Sequence, residues 1–100
     1  MRIVINLKWD GVTAAQYDAV KKLANWEGNP PKGAILHLAG FSKKGLKATD
    51  IWESKEDFNQ FLQSRLLPAV KQIGIQSQPK VKFIPLHSLF VPDANILSKI

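Results

Sequence analysis

The sequence predicts an α+β fold in which two helices cover one face of a four-stranded antiparallel sheet. Three observations lead to this prediction: four runs rich in aliphatic residues, two stretches with apolar residues at helical spacing, and a helix-capping motif before each stretch. The element order is β-α-β-β-α-β, and the 100 residues suffice for one domain. The right-handed crossover rule then places the strands in the order 4-1-3-2, which is the ferredoxin-like arrangement.

The first strand and the first helix are predicted from the opening third of the chain. Isoleucine, valine and leucine dominate residues 2–8, which is typical of a strand. Thr13 precedes a helical stretch, and Gln16 stands three residues later, which is the spacing of a capping box. We expect the helix to end near Asn25, because glycine and proline dominate residues 28–33.

A β-hairpin is predicted next, with strands over residues 34–41 and 46–53 and a loop over 42–45. The ferredoxin-like domain is expected to cover residues 1–90. Residues 91–100 form a C-terminal tail that is too apolar for a plain disordered end, so we expect it to pack on the domain or on a dimer partner.

The second helix and the last strand follow the hairpin. Ser54 is the predicted N-cap, and Gly74 is a plausible end of the helix. Pro68 lies inside the helical pattern and lacks an N–H, so we expect a kink or a break near residues 65–67. Residues 81–89 form the predicted last strand.

Composition excludes several classes of protein. The chain has no cysteine, which rules out disulfides and thiolate metal sites and is compatible with a cytoplasmic protein. No apolar run approaches the ~18 residues of a membrane span, and we expect no signal peptide and no membrane partner. The net charge of +6 is scattered, with no run of Lys or Arg longer than two, so most charges are interpreted as a solvated surface.

The strands are predicted to be apolar on both faces, although two helices can cover only one. Ile3 and Ile5 alternate with Val4 on the first strand, and Ile35 alternates with Leu36 on the second. An uncovered apolar sheet face is an association surface. We therefore expect a homodimer that forms through its sheet faces.

Residues 51–58, with the sequence IWESKEDF, resemble the dimeric α/β-barrel superfamily. That superfamily includes the antibiotic-biosynthesis monooxygenase-like proteins and small haem-degrading monooxygenases. The segments 26–28, 40–41 and 52–54 look like those of uncharacterised small bacterial proteins. The resemblance implies a homodimer whose sheets form a barrel, with a pocket in each subunit between the sheet and the helices.

The haem-degrading branch of that superfamily carries an Asn on its first strand, a Trp in its second helix and a His ten residues later. Asn6, Phe61 and Lys71 stand at the corresponding positions of this chain. Two of the three residues differ, which disfavours haem degradation. We expect no cofactor.

The hairpin is predicted to bring together a histidine and an aspartate. With an even loop, His37 lies directly opposite Asp50 and Ile35 lies opposite Trp52, with Cβ atoms of each pair about 4.5–5.5 Å apart. A carboxylate beside an imidazole fixes its tautomer and raises its basicity, as a general base requires. The alternative is a purely structural cross-strand hydrogen bond. An odd loop with Gly45 in a bulge would break this register.

Several other side chains are candidates for lining a pocket. Asn6 would hydrogen-bond an oxyanion or bond locally to the nearby turn, and Trp26 lies in a loop that can form a lid. His87 and His37 together are only weak evidence for a metal site, and no metal is expected. The complete predicted set beside the pair His37 and Asp50 is Asn6, Tyr17, Trp26, Trp52, Phe61 and His87.

The predicted function is the binding of a small apolar or aromatic molecule, with a cofactor-independent monooxygenase-like reaction on a phenolic or enolic substrate. Two alternatives remain. One is a non-enzymatic homodimer that binds a ligand or has a structural role. The other is RNA binding of the RRM type, which shares the element order, but its third strand needs aromatic residues for bases to stack on. Here that strand has only Trp52, and Asp50 would repel phosphate, so nucleic acid is disfavoured.

Overall fold

The computed structural model describes residues 1–100. The elements in chain order are β1 (Ile3–Asp10), α1 (Ala14–Ala24), β2 (Ala34–Ser42), β3 (Gly45–Trp52), α2 (Lys55–Phe61), a π-helical turn (Leu62–Leu66), α3 (Leu67–Ile73), β4 (Lys80–Pro85) and a 3₁₀ turn (Ile96–Ser98).

The four strands form one antiparallel sheet in the order β2-β3-β1-β4. Read from the other edge, this is the predicted order 4-1-3-2, and the ferredoxin-like α+β fold is confirmed. The core lies between the helices and one sheet face. On β1, Ile5 and Trp9 point into this core, where they meet Val20 of α1 and Phe58 of α2.

The predicted capping box of α1 is confirmed. The Thr13 hydroxyl accepts from the Gln16 backbone N–H at 3.1 Å, and the Gln16 side chain accepts from the Thr13 backbone N–H at 3.1 Å. The helix is closed by Asn25 in the left-handed conformation, as expected. Ser54 caps α2 through the backbone N–H of Asp57.

The expected break before Pro68 takes the form of a π-helical turn. The backbone N–H of Leu67 donates to the carbonyl of Leu62, five residues back, and α3 then begins with Pro68 in its first turn. The wider turn accommodates a residue that has no N–H to donate. It also sets the direction of Arg65, which lies within it.

The hairpin has the predicted even register. Ser42 pairs with Gly45, and His37 pairs with Asp50. Gly45 has φ +142°, and an added Cβ would lie 2.5 Å from the Trp9 carbonyl oxygen, so the turn requires glycine. The predicted pairing of Ile35 with Trp52 is wrong: a bulge between Ala34 and Leu36 adds one residue, and Trp52 pairs with Ala34.

The last strand is shorter than predicted. It ends at Pro85 instead of continuing to residue 89, and one further backbone bond follows, from the Leu86 N–H to the Arg2 carbonyl at 3.0 Å. His87 therefore lies beyond the sheet and is exposed.

The sheet face away from the helices is apolar at one end only, which corrects the expectation of a wholly apolar face. Cross-strand pairing joins Val4 to Ile51 and to Ile84 at that end. At the other end Lys8 lies directly between Lys47 and Lys80. Like charges placed directly opposite one another repel. The helices of this fold are all too short or too polar to cross a bilayer.

Candidate functional site

A cavity of about 420 Å³ lies between the inner face of the sheet and the helices. Of its 23 lining residues, 18 are hydrophobic, so the walls exclude water over most of their area. Besides Glu27 in the loop after α1 and the Tyr17 hydroxyl on α1, its acidic and basic side chains are His37 on β2 and Asp50 on β3. An apolar pocket with a few convergent polar groups is the usual form of a small-molecule site.

His37 and Asp50 form the short pair that the hairpin register predicts. The His37 Nδ1 atom lies 2.6 Å from the Asp50 Oδ1 atom. The Asp50 side chain is 16% exposed and that of His37 is 32% exposed. Asp50 therefore lies inside the site, and His37, on the edge strand β2, lies at its mouth.

Two further side chains extend this pair into a chain of four. The Tyr17 hydroxyl lies 2.7 Å from the His37 Nε2 atom, and the Trp52 Nε1 atom donates to Asp50 Oδ2 at 3.0 Å. The sequence predicts Tyr17 and Trp52 only as pocket walls. Strand alternation was a signal for Trp52, which stands two residues after Asp50 on the same face. The Tyr17 contact depends on how α1 packs on β2, and no local signal indicates it.

The chemistry of the four side chains decides which group donates and which accepts in each hydrogen bond. The Asp50 carboxylate and the His37 ring meet at Nδ1, and an ionised carboxylate can only accept, so Nδ1 carries the hydrogen. In the neutral imidazole the Nε2 atom is then an acceptor, and the Tyr17 hydroxyl donates to it. Trp52 donates to the remaining carboxylate oxygen.

The Tyr17 hydroxyl keeps its proton over the whole physiological range. Burial raises its pKa from 10.0 to about 12, and the negative charges of Asp50, Glu27 and Asp18 add to the effect. Tyr17 is therefore a phenol, and a hydrogen-bond donor to His37, at neutral pH.

Aromatic rings form the wall around the polar chain. The Trp26 ring is packed edge-to-face on Tyr17 and on His37, with centroid distances of 5.8 and 5.4 Å. Phe61 lies 6.4 Å from Trp26 and 5.7 Å from Trp52, again between ring centroids. These residues, predicted to line a pocket, all lie at the cavity.

The loop that carries Trp26 is held by Arg65. The Arg65 guanidinium donates to the carbonyl oxygens of Ala24 at 2.6 Å, Asn25 at 3.0 Å and Asn29 at 2.8 Å. One charged side chain thus satisfies carbonyls at the end of α1 and in the loop beyond it. The π-helical turn before Pro68 contains Arg65 and so also positions this clamp. The sequence alone does not indicate the clamp.

Two predicted residues do not join the site. Asn6 lies on the opposite sheet face, where its side-chain oxygen accepts from the Thr49 hydroxyl at 3.1 Å, because side chains alternate along β1 and Ile5 points into the core. His87 lies beyond β4, exposed, and is not a lining residue of the cavity. The apolar tail, in contrast, places Leu97 at the cavity. No group of three or more His, Asp or Glu side chains is arranged to hold a metal ion.

Solved structures share this fold at low sequence identity. SnoaB, a cofactor-independent oxygenase from Streptomyces nogalater, has a TM-score of 0.62 and 14% identity, covering 92% of this chain and 97% of that chain. A protein of unknown function from Nitrosomonas europaea, NE2512, has a TM-score of 0.66 and 16% identity, with coverage of 93% and 96%. A monooxygenase from the ActVA-Orf6 gene of Streptomyces coelicolor, in complex with nanaomycin D, has a TM-score of 0.57 and 17% identity, with coverage of 92% and 92%.

The likeness establishes a common fold, that of the antibiotic-biosynthesis monooxygenase-like proteins, and confirms the resemblance that the sequence predicts. At these identities it extends to the fold alone. No family model and no curated protein matches this sequence.

Proposed function

We propose that the cavity binds a small aromatic phenol or enol and that His37, oriented by Asp50, is the base of a cofactor-independent monooxygenase-like reaction. The observation that supports this most directly is the 2.6 Å contact between His37 and Asp50 at the wall of an apolar cavity. A cavity of about 420 Å³ is within the usual range for small ligands, roughly 300–1,000 Å³.

The chemistry needs only the substrate, the base and dioxygen from solution. Loss of the hydroxyl proton to the base leaves a phenolate or enolate with electron density on a carbon that still bears a hydrogen. Dioxygen adds to that carbon, the carbon loses its hydrogen, and the O–O bond breaks. One oxygen atom remains as a carbonyl, and the other leaves as water with the two protons released. The apolar walls strengthen the electrostatic interactions of the base and shield the enolate from solvent protons. Asn6 takes no part, since it faces the other side of the sheet.

The second candidate is a ligand-binding homodimer without enzymatic activity. The observation that favours it is that both ring nitrogens of His37 already have partners within the protein, Asp50 and Tyr17. In that case the polar chain pairs groups that are only partly buried and shapes the cavity. RNA binding of the RRM type has less support, because the open sheet face presents aliphatic residues and lysines, while Trp52 is buried in the core.

The homodimer is supported by apolar surface that nothing in a single chain covers. On the edge strand β2, Ile35, Leu38 and Phe41 are exposed, Leu38 at 57%. In the C-terminal tail Phe90 is 83% exposed. We propose that a second copy covers this surface, with the tail packed on the domain or on the partner.

Two measurements test the enzymatic proposal. Quenching of tryptophan fluorescence by naphthol reports binding, and an oxygen electrode reports turnover of a dihydroxynaphthalene. We expect His37→Gln to bind naphthol within a few-fold of wild type and to lose at least about 100-fold in oxygen uptake. His87→Gln is the matched control, since it alters the one other histidine, away from the cavity. Equal oxygen uptake in His37→Gln and wild type would refute the role of His37 as the base and leave only ligand binding. Failure of naphthol to bind would refute both the reaction and the binding function.

A further inference from the structure

His37 has no ring nitrogen free to meet a substrate. Its Nδ1 atom is bonded to Asp50 at 2.6 Å and its Nε2 atom to Tyr17 at 2.7 Å. A base that takes a proton must offer a lone pair to it. The only lone pair on the neutral His37 ring is the one that already accepts from the Tyr17 hydroxyl.

The Tyr17 oxygen is the next atom along the chain. A phenolic hydroxyl donates one hydrogen bond and still accepts on its oxygen. Tyr17 gives its hydrogen to His37, so its oxygen remains an acceptor, and the residue lines the cavity. Trp26 and Phe41 pack edge-to-face on the Tyr17 ring at 5.8 and 5.9 Å, which restricts its movement.

We propose that Tyr17 is the group that contacts the substrate hydroxyl and that protons leave the substrate through a Tyr17–His37 relay. This inference rests on the proposed function and names the residue that touches the substrate. The substrate O–H donates to the Tyr17 oxygen. As its proton moves to that oxygen, the Tyr17 proton moves to His37 Nε2. Tyr17 ends neutral, the substrate becomes a phenolate or enolate, and His37 becomes an imidazolium paired with Asp50.

The remaining partners fit a relay in this direction. The raised pKa of Tyr17 keeps its proton in place until His37 receives it, so a free tyrosinate is not required. Asp50 stabilises the positive charge that develops on the ring. Trp52, through its 3.0 Å bond to Asp50, holds the carboxylate in position and acts as a positioning residue.

The activity test is Tyr17→Phe, which removes only the hydroxyl. A relay predicts a fall in oxygen uptake of at least about 100-fold, with little change in the affinity for methoxynaphthalene. If His37 acts directly, the substitution frees Nε2, and activity is retained or rises. Retained activity in Tyr17→Phe alongside loss in His37→Gln would overturn the relay and leave the proposed function standing.

A second readout does not depend on turnover. Naphthol and methoxynaphthalene share a ring system, but only naphthol can donate to Tyr17. We expect wild type to prefer naphthol by about three- to tenfold, the value of one hydrogen bond. Equal affinities in wild type would overturn the contact whether or not the protein is an enzyme.

The single tyrosine of the chain gives a probe that keeps the hydroxyl. Protein grown with fluorotyrosine carries one fluorine, beside the Tyr17 oxygen, and fluorine NMR then reports this site alone. We expect naphthol to shift the resonance more than methoxynaphthalene does. Identical shifts from both ligands would contradict the proposal. This sample also decides the question if Tyr17→Phe fails to fold.

Discussion

Asp50→Asn tests the polar chain most directly, because it removes one charge and keeps the shape. The asparagine amide has one oxygen and one NH₂ group where the carboxylate had two acceptors. Its oxygen can still accept from the Trp52 Nε1–H, which donates to Asp50 Oδ2 at 3.0 Å in wild type. Its NH₂ group then faces His37, and the imidazole must accept at Nδ1 and carry its hydrogen on Nε2.

This change of the His37 tautomer is expected to have a small effect on stability and a large effect on turnover. The Nε2–H would donate to the Tyr17 oxygen, so most groups stay paired and only the Tyr17 hydrogen loses its partner. We expect the free energy of unfolding to fall by about 1–2 kcal/mol, the cost of one charge-assisted hydrogen bond in a partly buried site. For a domain of this size 1 kcal/mol corresponds to roughly 4–8 °C in Tm. Turnover should fall by about 100-fold or more, because Nε2 can no longer accept a proton.

The sharpest readout of Asp50→Asn is the ionisation of Tyr17. Asp50 is the largest of the charges that raise the pKa of this hydroxyl to about 12, after burial itself. We expect the pKa to fall in the variant, as measured by tyrosinate absorbance, which comes from one residue. Asp18→Asn is the matched control and should lower the pKa less, since Asp18 contributes least. An unchanged Tyr17 pKa in Asp50→Asn would refute the chain of contacts from Tyr17 through His37 to Asp50.

Three further predictions concern the clamp, pH and assembly. Arg65→Met removes the donors to the three carbonyls that Arg65 binds. We expect the free energy of unfolding to fall by about 1–3 kcal/mol and the backbone amide of Trp26 to exchange its hydrogen faster. Unchanged exchange at Trp26 would contradict the clamp. Burial raises the pKa of Tyr17 in the folded protein from its ordinary 10.0 to about 12, so the contribution to stability should be complete below pH 10. It should decline by about 1–2 kcal/mol as pH rises through 12, after allowance for partial exposure. Chemical denaturation across that range should show a smaller decline in Tyr17→Phe. Dimerisation should strengthen with ionic strength, because Lys8, Lys47 and Lys80 on the open sheet face repel those of the second copy. Leu38→Asp should weaken the dimer. Sedimentation that shows a wild-type monomer at micromolar concentration would exclude the homodimer.

The hairpin shows how far local rules extend into the site. The predicted pairing of His37 with Asp50 depends only on strand alternation and an even loop, and both are properties of neighbouring residues. The bulge between Ala34 and Leu36 was not predicted, because nothing within the strand distinguishes it from regular alternation. A single extra residue therefore changed the partner of Trp52 without disturbing the pair His37 and Asp50.

Asn6 shows where those rules stop. Val4 shares the face of Asn6 and Ile5 lies on the other face, and both are aliphatic, so the sequence does not say which face of β1 meets the helices. Packing decides this: Ile5 is 1% exposed in the core, and Asn6 consequently points to the other face. Alternation is a local property, whereas the choice of the buried face depends on where the helices lie.

The sequence by itself determined the element order, the caps at Thr13 and Ser54 and, once the hairpin loop is even, the pairing of His37 with Asp50. Each follows from residue types at fixed short spacings, where turn chemistry and strand or helix periodicity act. Only the tertiary structure placed Tyr17 on His37 and Arg65 on the loop beyond α1. These contacts join residues 20 and about 40 positions apart. They depend on how whole helices pack against the sheet, which no local spacing encodes.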